Sequence, residues 1–256
     1  MLQKIQTIIW FLKRPSFYRH AIELGIRKLR SDKDSSYFVI EATNWAEQNT
    51  LSIPNALKKI GLTQHEDKIP SLDKKLIEEA NALAALSKVK MGGPGDLDLI
   101  FAAMVLSESE KVIESGVAYG WSSLAILAAL QEKSSNSLVS IDMPYPKMNN
   151  EDFVGIAVPD RFKRNWTLLR QPDRNGIKKA LKILKNNIDL CHYDSDKSYY
   201  GRTYGYPLFW EALSDGGIFI SDDIQDNLAF KEFVESKKSD FAVIKNNDKY
   251  IGIIRK

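Results

Sequence analysis

The chain has 256 residues, with 36 Lys and Arg against 33 Asp and Glu, which gives a formal net charge of +3. Its hydrophobic fraction of 44% and charged fraction of 27% are typical of a globular protein, and the small net charge gives no indication of nucleic-acid binding. A single cysteine excludes an internal disulfide framework, and no apolar run approaches the roughly 20 residues that cross a membrane, so we expect a reducing, cytoplasmic setting.

The first 30 residues carry a marked excess of positive charge. They hold seven basic residues and one acid, Glu23, which gives this stretch a net charge of +6. Apolar residues recur there at helical spacing, at Leu2, Ile5, Ile8, Ile9 and Leu12. The pattern predicts a basic amphipathic helix within a segment of residues 1–35. Such a helix can lie on an anionic membrane surface, which would make the protein membrane-peripheral, or it can pack against its own chain or a second subunit.

Residues 36–107 have a helical pattern without strand signals, and we assign them as a helical cap region. Proline and glycine interrupt the pattern at Pro54, Gly61, Pro70 and the turn at 92–95. A helix is predicted to begin after Ser71, whose hydroxyl is placed to cap it.

Residues 108–256 alternate between strand and helix patterns. Strands are expected at 111–117, 138–143, 167–170, 188–194 and 217–221, and helices at 122–132, 176–185, 205–213 and 227–236. Two further strands, at 241–244 and 250–254, are predicted to form an antiparallel hairpin. Repeated strand–helix units imply an α/β fold with a mostly parallel sheet and helices on both faces.

The turn after the first strand has the sequence Glu114-x-Gly116-x-x-x-Gly120-x-Ser122. Glycines let the backbone approach a ligand that a Cβ would exclude, and the following helix offers free N–H groups near its start. The spacing differs from the G-x-G-x-x-G dinucleotide fingerprint, and no Gly-Lys-Ser/Thr phosphate loop is present. An acid at Glu114 would repel phosphate and neutralise an ammonium group, which favours a cationic cofactor without phosphate. A strand–helix turn without a ligand is the alternative.

The second strand ends at Asp142, where a carboxylate can accept hydrogen bonds from both hydroxyl groups of a ribose. Acids often end strands, so this residue alone is weak evidence. Together with Glu114 at the end of the neighbouring strand, it forms a nucleoside-binding pattern.

Three aspartates, Asp194, Asp222 and Asp223, follow the fourth and fifth strands. The carboxyl ends of parallel strands face one crevice, so these side chains should converge. Two carboxylates 4 Å apart repel by about 4 kcal/mol at an effective dielectric constant of about 20, so such a cluster needs protonation, separation or a cation. Oxygen ligands favour Mg²⁺, Ca²⁺ or Mn²⁺ over zinc. Alternatively, these acids cap the following helices and face solvent.

These residues resemble class I S-adenosylmethionine-dependent O-methyltransferases of the metal-dependent kind. The resemblance covers about residues 89–256 and extends to macrocin-type sugar O-methyltransferases and, more distantly, to catechol O-methyltransferase. It implies a Rossmann-like sheet of seven strands with the last one antiparallel. It also implies that residues 108–256 are the S-adenosylmethionine-binding catalytic domain, which follows an N-terminal helical extension in the sequence.

By this resemblance, the first turn should surround the methionine part of the cofactor, Asp142 should hold its ribose, and the residues after the third strand should contact its adenine. The implied cofactor-binding residues are Glu114, Gly116, Ala118, Gly120, Ser122, Asp142, Gln171, Pro172 and Asp194, with Met91 and Gly92 near a backbone segment that covers the cofactor.

The resemblance also implies that Asp194, Asp222 and Asp223 bind Mg²⁺ or another divalent cation, and that Lys197 and Asp194 are catalytic. The reaction would transfer a methyl group from the cofactor sulfonium to a hydroxyl of a small molecule or glycan, with Lys197 taking the proton. The catechol enzyme has a lysine at this spacing, whereas sugar-modifying relatives often have histidine, so the acceptor stays open. Without a bound metal, Lys197 would be a salt-bridging residue, because neighbouring carboxylates raise the pKa of a lysine.

Residues 144–159 replace the helix expected after the second strand, and they form either a lid beside the crevice or a passive surface loop. Two other functions stay open: a nicotinamide-dependent oxidoreductase on a similar sheet, and a non-catalytic partner subunit that keeps the fold. The missing glycine spacing argues against the first, and the intact acids argue against the second. A homo-oligomer is compatible with the sequence.

Overall fold

The computed structural model describes residues 2–65, 68–130, 137–146 and 148–256, with side chains from residue 7 onward. Its strands are β1 (Lys111–Ser115), β2 (Ser137–Ile141), β3 (Trp166–Leu169), β4 (Ile188–Tyr193), β5 (Leu213–Ser221), β6 (Phe241–Asn246) and β7 (Lys249–Arg255). They form one sheet in the order β3-β2-β1-β4-β5-β7-β6, in which β1 to β5 are parallel and β7 is antiparallel to both of its neighbours. The predicted α/β sheet of seven strands with an antiparallel last strand is confirmed.

Helices cover both faces of this sheet. The α-helices of the described residues are α1 (Leu2–Leu12), α2 (Tyr18–Leu29), α3 (Ser36–Gln48), α4 (Ile53–Lys59), α5 (Lys74–Ala84), α6 (Leu97–Leu106), α7 (Trp121–Leu130), α8 (Asp173–Ile183), α9 (Tyr199–Ala212) and α10 (Ala229–Lys237). Successive strand residues point to opposite faces, so Val112 and Leu190 join the core with α4 to α7, whereas Ile113 and Cys191 join the core with α8 to α10. The sheet is therefore buried on both faces.

Residues 36–107, assigned from the sequence as a helical cap, contribute to the core of the sheet. The N–H of Leu51 donates a 2.8 Å hydrogen bond to the carbonyl of Val243 at the outer strand. Leu57 of α4 and Ile100 of α6 are buried in the same cluster as residues of β1 and β4. The boundary of a separate catalytic domain near residue 108 stays a prediction.

One helix start and several element boundaries differ from the sequence predictions. The prediction of Ser71 as an N-cap is wrong: α5 begins at Lys74, and the carboxylate of Asp73 accepts the N–H of Lys75 at 2.9 Å. The carboxylate of Asp98 in α6 accepts the N–H of Leu72 at 3.0 Å and ties the preceding segment to that helix. A tertiary hydrogen bond therefore decides where the helix begins.

The strands β1 and β2 both end two residues earlier than predicted, and after β1 the chain turns at Gly116 with φ +94°. The helix α9 starts six residues earlier than predicted, since Ser198 caps it by accepting the N–H of Gly201 at 3.0 Å, and it contains Pro207. The predicted end of the helix at 131–132 lies outside the described residues. The predicted hairpin of β6 and β7 is confirmed.

Candidate active site

Cavities in the described part of the chain meet at the carboxyl ends of β1, β2 and β4. An inner cavity of about 70 Å³ lies beside the turn after β1, and an outer cavity of about 470 Å³ continues from it past the ends of β2 and β3. An open groove of about 930 Å³ lies between α2 and the loop that contains Lys197. Tyr145, in the segment 144–159, borders all three, so part of this segment lies at the crevice, and the choice between a lid and a passive loop stays a prediction. Lys147 in that segment lies outside the described residues.

The turn after β1 requires glycine at its first position. A Cβ on Gly116 would lie 2.1 Å from the main-chain oxygen of Asp194, and φ is +94° there. Ala118 also has a positive φ, of 48°. The predicted cofactor residues Gly116, Ala118 and Ser122 all line the inner cavity. Main-chain atoms of the turn therefore border the cavity without an intervening side chain at Gly116, so a ligand could approach them closely.

Glu114 lies beneath this wall and is fully buried. Its carboxylate accepts hydrogen bonds of 2.6 Å from the hydroxyls of Ser122, Ser123 and Ser140. Burial raises the pKa of Glu114, although these hydroxyls and the nearby His192 oppose the shift. Glu114 therefore orients Ser122, and the direct ligand contact predicted for it stays a prediction.

Asp142 borders both the inner and the outer cavity and is 5% exposed. One carboxylate oxygen accepts the N–H groups of Val117 at 3.0 Å and Ala118 at 3.4 Å, and the other forms an ion pair with Arg170. This is the position predicted for the acid that binds a ribose. Arg170 was not among the residues found from the sequence.

The residues after β3 lie at the outer cavity. Pro172 lines it, whereas Gln171 is not among the described residues of its wall. The neighbouring Asp173 also lines the cavity and accepts hydrogen bonds from Ser115 at 2.9 Å and from Ser195 at 2.6 Å. Burial raises the pKa of Asp173, against the effect of these hydroxyl donors. Asp173 could not be singled out from the sequence, because acids are common in the first turn of a helix for capping and dipole reasons alone.

Two of the three aspartates predicted as metal ligands, Asp194 and Asp222, line the inner cavity. Burial and the charge of Asp222 raise the pKa of Asp194 to about 6, while Lys197 opposes the shift. Behind them, His192 is fully buried, with Nε2 3.4 Å from Asp222. Burial alone would lower the pKa of His192, but the carboxylates of Asp222 and Glu114 raise it to about 9. His192 is therefore a buried cation among acids.

The third aspartate, Asp223, faces two lysines. It forms ion pairs with Lys197 and, at 3.1 Å, with Lys249 of β7. Burial disfavours its charge, but the two ammonium groups lower the pKa of Asp223. Lys197 also lies 3.1 Å from Asp194, and although burial opposes it, these carboxylates raise the pKa of Lys197. Lys249 was not predicted as a site residue, because nothing in the sequence around it indicates contact with Asp223.

In the described residues, no group of three or more His, Cys, Asp or Glu side chains is arranged to hold a metal ion. A smaller donor set does fit Mg²⁺, which proteins commonly hold through one or two carboxylates together with water and substrate. Asp194 and Asp222 provide two carboxylates at one cavity, and Oδ1 of Asp194 lies 3.1 Å from Nζ of Lys197, which a metal ion would have to displace or share. Metal binding by all three predicted aspartates stays a prediction.

The helix α2 forms the outer side of the crevice. Its Glu23 forms a 3.1 Å ion pair with Arg174 of α8, and its Arg27 forms a 3.0 Å ion pair with Asp196. His20 and Leu24 of the same helix line the outer cavity. One face of the basic N-terminal segment therefore packs on its own chain, while the side chains of Leu2 and Ile5 lie outside the described residues.

A family model described as a methyltransferase domain matches residues 113–224. None of the curated protein sequences matches the chain significantly. Among solved structures, an O-methyltransferase from Bacillus cereus in complex with SAH aligns with 82% of this chain and 100% of its own, at a TM-score of 0.55 and 15% identity. A putative caffeoyl-CoA O-methyltransferase from Staphylococcus aureus aligns with 79% of this chain and 99% of its own, at a TM-score of 0.54 and 14% identity.

The O-methyltransferase TomG from Streptomyces achromogenes, in complex with SAM, aligns with 72% of this chain and 91% of its own, at a TM-score of 0.52 and 15% identity. At such identities the similarity establishes a shared fold.

Proposed function

We propose that this chain, which has the class I methyltransferase fold with a methyltransferase domain at residues 113–224, is an S-adenosylmethionine-dependent O-methyltransferase. The observation that carries the proposal is the position of Asp142, at the wall where the inner and outer cavities meet. The methionine part of the cofactor would lie in the inner cavity beside Gly116, and the adenosine would extend into the outer cavity over Pro172. The ribose hydroxyls would then donate to Asp142.

The charge around the inner cavity supports a cationic cofactor. Among the described residues that border the cavity, three are acids (Asp142, Asp194 and Asp222) and one, His192, is basic. Arg170 and Lys197 pair with two of these acids from outside the cavity, and Glu114 lies behind Ser122. A sulfonium and an ammonium group next to these acids gain Coulomb energy that a phosphate would lose. This distribution favours S-adenosylmethionine over a nicotinamide dinucleotide.

In the proposed reaction, an oxygen of the acceptor hydroxyl attacks the methyl carbon of the sulfonium. The new C–O bond forms as the C–S bond breaks, the electron pair goes to sulfur, and the hydroxyl loses its proton. Holding donor and acceptor in line can supply roughly 7–11 kcal/mol of the barrier, so positioning is the main task of the protein. The open groove beside Lys197 gives the acceptor a path to this point.

Lys197 is our candidate for the residue that takes the proton, since it borders the groove and contacts Asp194 of the inner cavity. Its neighbouring carboxylates favour the ammonium form, so Lys197 has to lose a proton before it can act as a base. We propose Asp194 and Asp222 as the residues that would hold Mg²⁺, whose chemistry is to lower the pKa of the acceptor hydroxyl. Asp223 anchors Lys197 and Lys249 in this arrangement.

Calorimetric titration with S-adenosylhomocysteine tests the proposal without knowledge of the acceptor. We expect saturable one-to-one binding to the full chain, and no heat from a nicotinamide dinucleotide titrated under the same conditions. Absence of binding at millimolar S-adenosylhomocysteine would overturn the proposed function, and selective binding of the dinucleotide would favour an oxidoreductase instead.

A further inference from the structure

The exposed large apolar side chains of this protein are concentrated near its N-terminus. Among the described residues, eight of the twelve lie between residues 8 and 40. Six of them belong to α1 and α2, with exposed fractions between 44% and 88%: Ile8, Ile9, Leu12, Tyr18, Ile22 and Leu29. Leaving this much apolar surface in water on two adjacent helices is unfavourable, which indicates that something covers it.

The helix α2 has two faces of opposite character. Tyr18, Ile22, Gly25 and Leu29 follow one another at spacings of four, three and four residues, so they form one stripe, and all four are exposed. The opposite stripe contains His20, Leu24 and Arg27, which line the outer cavity. His20 and Arg27 thus face the protein together with Leu24, while the apolar stripe faces outward. We call this apolar surface of α1 and α2 the outer face.

The charges beside the outer face are of one sign. Lys13, Arg19, Lys28 and Arg30 are exposed there. Glu23, the one acid among the first 30 residues, is turned inward, where it contacts Arg174 at 3.1 Å and accepts a 2.8 Å hydrogen bond from the hydroxyl of Tyr200. The next acid along the chain, Asp32, follows the end of α2. An apolar stripe flanked by cations is therefore presented to solvent.

From this geometry we propose that the outer face docks the protein on an anionic lipid bilayer. Apolar side chains would enter the boundary between headgroups and acyl chains, and the flanking lysines and arginines would contact anionic headgroups. No helix of the described residues is long and apolar enough to cross a membrane, so α1 and α2 would lie along the surface. Docking in this way would place α2 between the bilayer and the outer cavity.

Charge also decides between a bilayer and a second copy of the chain. In a symmetric dimer the same patch faces itself, which would set Arg19, Lys28 and Arg30 against their own counterparts. Like charges brought together in an interface are repulsive, whereas an anionic surface attracts all of them. The positive charge of the outer face is therefore complementary to acidic lipid and repels a second copy of the same face. This proposal does not depend on the enzymatic activity.

Vesicle sedimentation of the full chain tests the proposal. We expect co-sedimentation with phosphatidylcholine vesicles that contain phosphatidylserine, little with phosphatidylcholine alone, and weaker binding as salt is added. A variant with Ile22→Ser and Leu29→Ser, and a second with Arg19→Glu and Lys28→Glu, should each lose roughly tenfold or more in vesicle affinity. The matched controls are Leu86→Ser with Ile183→Ser, at exposed fractions of 66% and 46%, and Lys178→Glu with Lys179→Glu on the exposed side of α8. Both controls should bind like the unmodified protein.

Unchanged melting temperatures of the variants would show that they remain folded. No binding to anionic vesicles would overturn the proposal, as would equal loss in the control variants. Sedimentation velocity measures whether the protein forms a dimer. A concentration-dependent dimer that is lost in the Ile22→Ser, Leu29→Ser variant, together with no vesicle binding, would show that the outer face binds a second copy of the chain and would overturn lipid docking.

Discussion

Arg202, in the first turn of α9, donates a 2.7 Å hydrogen bond from Nη2 to the main-chain oxygen of Asp223, two residues after the end of β5. Arg202 is completely buried, and Asp223 has φ +52°, a left-handed conformation that is uncommon for residues other than glycine. The same nitrogen lies 3.1 Å from the main-chain oxygen of Asp222. The arginine thus holds the turn that points Asp222 into the inner cavity and Asp223 toward Lys197.

Replacing Arg202 should separate catalysis from cofactor binding. Arg202→Met removes hydrogen bonds from a charged donor to two buried carbonyls, and we expect a loss of about 2–4 kcal/mol in unfolding free energy. Turnover should fall at least tenfold, while the Kd for S-adenosylhomocysteine changes little, because Asp142 and Gly116 lie on other loops. Partial rescue by Arg202→Lys would support a positioning role. An equal loss of cofactor affinity in both variants would contradict it.

Asp142→Ala should weaken the binding of S-adenosylhomocysteine. It removes a carboxylate that we place on the ribose hydroxyls, and hydrogen bonds to a charged group are worth about 1.5–3 kcal/mol, so the Kd should rise roughly tenfold to a hundredfold. Calorimetry measures the change directly. The control is Asp160→Ala, whose carboxylate is 95% exposed and remote from the cavities. An unchanged Kd for Asp142→Ala would show that Asp142 does not bind the cofactor.

Metal binding should depend on two of the three aspartates. Mn²⁺ titration followed by electron paramagnetic resonance counts bound ions without an acceptor substrate. We expect Asp194→Ala and Asp222→Ala to abolish binding, because both carboxylates border the inner cavity. Asp223→Asn should retain it, because Asp223 is engaged by Lys197 and Lys249. Loss of Mn²⁺ binding in Asp223→Asn would show that all three aspartates bind the metal, as predicted from the sequence. No Mn²⁺ binding to the unmodified protein would show that this site does not bind a divalent metal.

His192 should make stability fall at alkaline pH. Its pKa in the folded protein, about 9, lies above the ordinary value of 6.5, so the protonated ring stabilises the fold. This contribution is complete below pH 6.5 and is lost as the pH rises through 9, with an upper magnitude of about 3 kcal/mol. Urea unfolding between pH 6 and pH 10, in the presence of EDTA, measures it.

The matched control for this pH dependence is the exposed His65. His192→Gln should flatten the fall in stability across that range, whereas His65→Gln should leave it as it is. If unfolding free energy fell equally with pH in the unmodified protein and in His192→Gln, a group other than His192 would be responsible for the pH dependence.

Gly116→Ala should destabilise the fold severely. The added Cβ would lie 2.1 Å from a main-chain oxygen, so the loops after β1 and β4 would have to separate. We expect a loss of more than about 2 kcal/mol from the combination of clash and positive φ. Gly25→Ala, in open space on α2, should be neutral or slightly stabilising, since alanine favours a helix over glycine. A stable Gly116→Ala variant would contradict the close approach described here.

The sheet and the glycine turn could be predicted because their signals are local. Alternating apolar strands indicated the order of elements, and the spacing Glu114-x-Gly116 identified the turn that lines the inner cavity. Asp142, Asp194 and Asp222 could be placed at the crevice, since the carboxyl ends of parallel strands share one edge. These residues needed no knowledge of distant parts of the chain.

Side-chain pairs that join distant segments could not be predicted. Arg202 reaches the loop after β5 from the first turn of α9, which lies before the helix predicted at 205–213, and Lys249 reaches Asp223 from the last strand. Asp223 itself turns away from the inner cavity because its backbone is left-handed, which adjacent sequence does not indicate. The inward turn of Glu23 likewise depends on Arg174 of α8, 151 residues further along the chain.

A crystal structure of the full chain with S-adenosylhomocysteine would show whether the cofactor binds at the carboxyl ends of β1 and β2. We expect both ribose hydroxyls within hydrogen-bonding distance of the Asp142 carboxylate, the homocysteine beside Gly116 in the inner cavity, and the adenine in the outer cavity. Nucleoside density at another place in the molecule would contradict cofactor binding at Asp142. So would an Asp142 carboxylate that keeps only Arg170 and the N–H groups of the turn as partners.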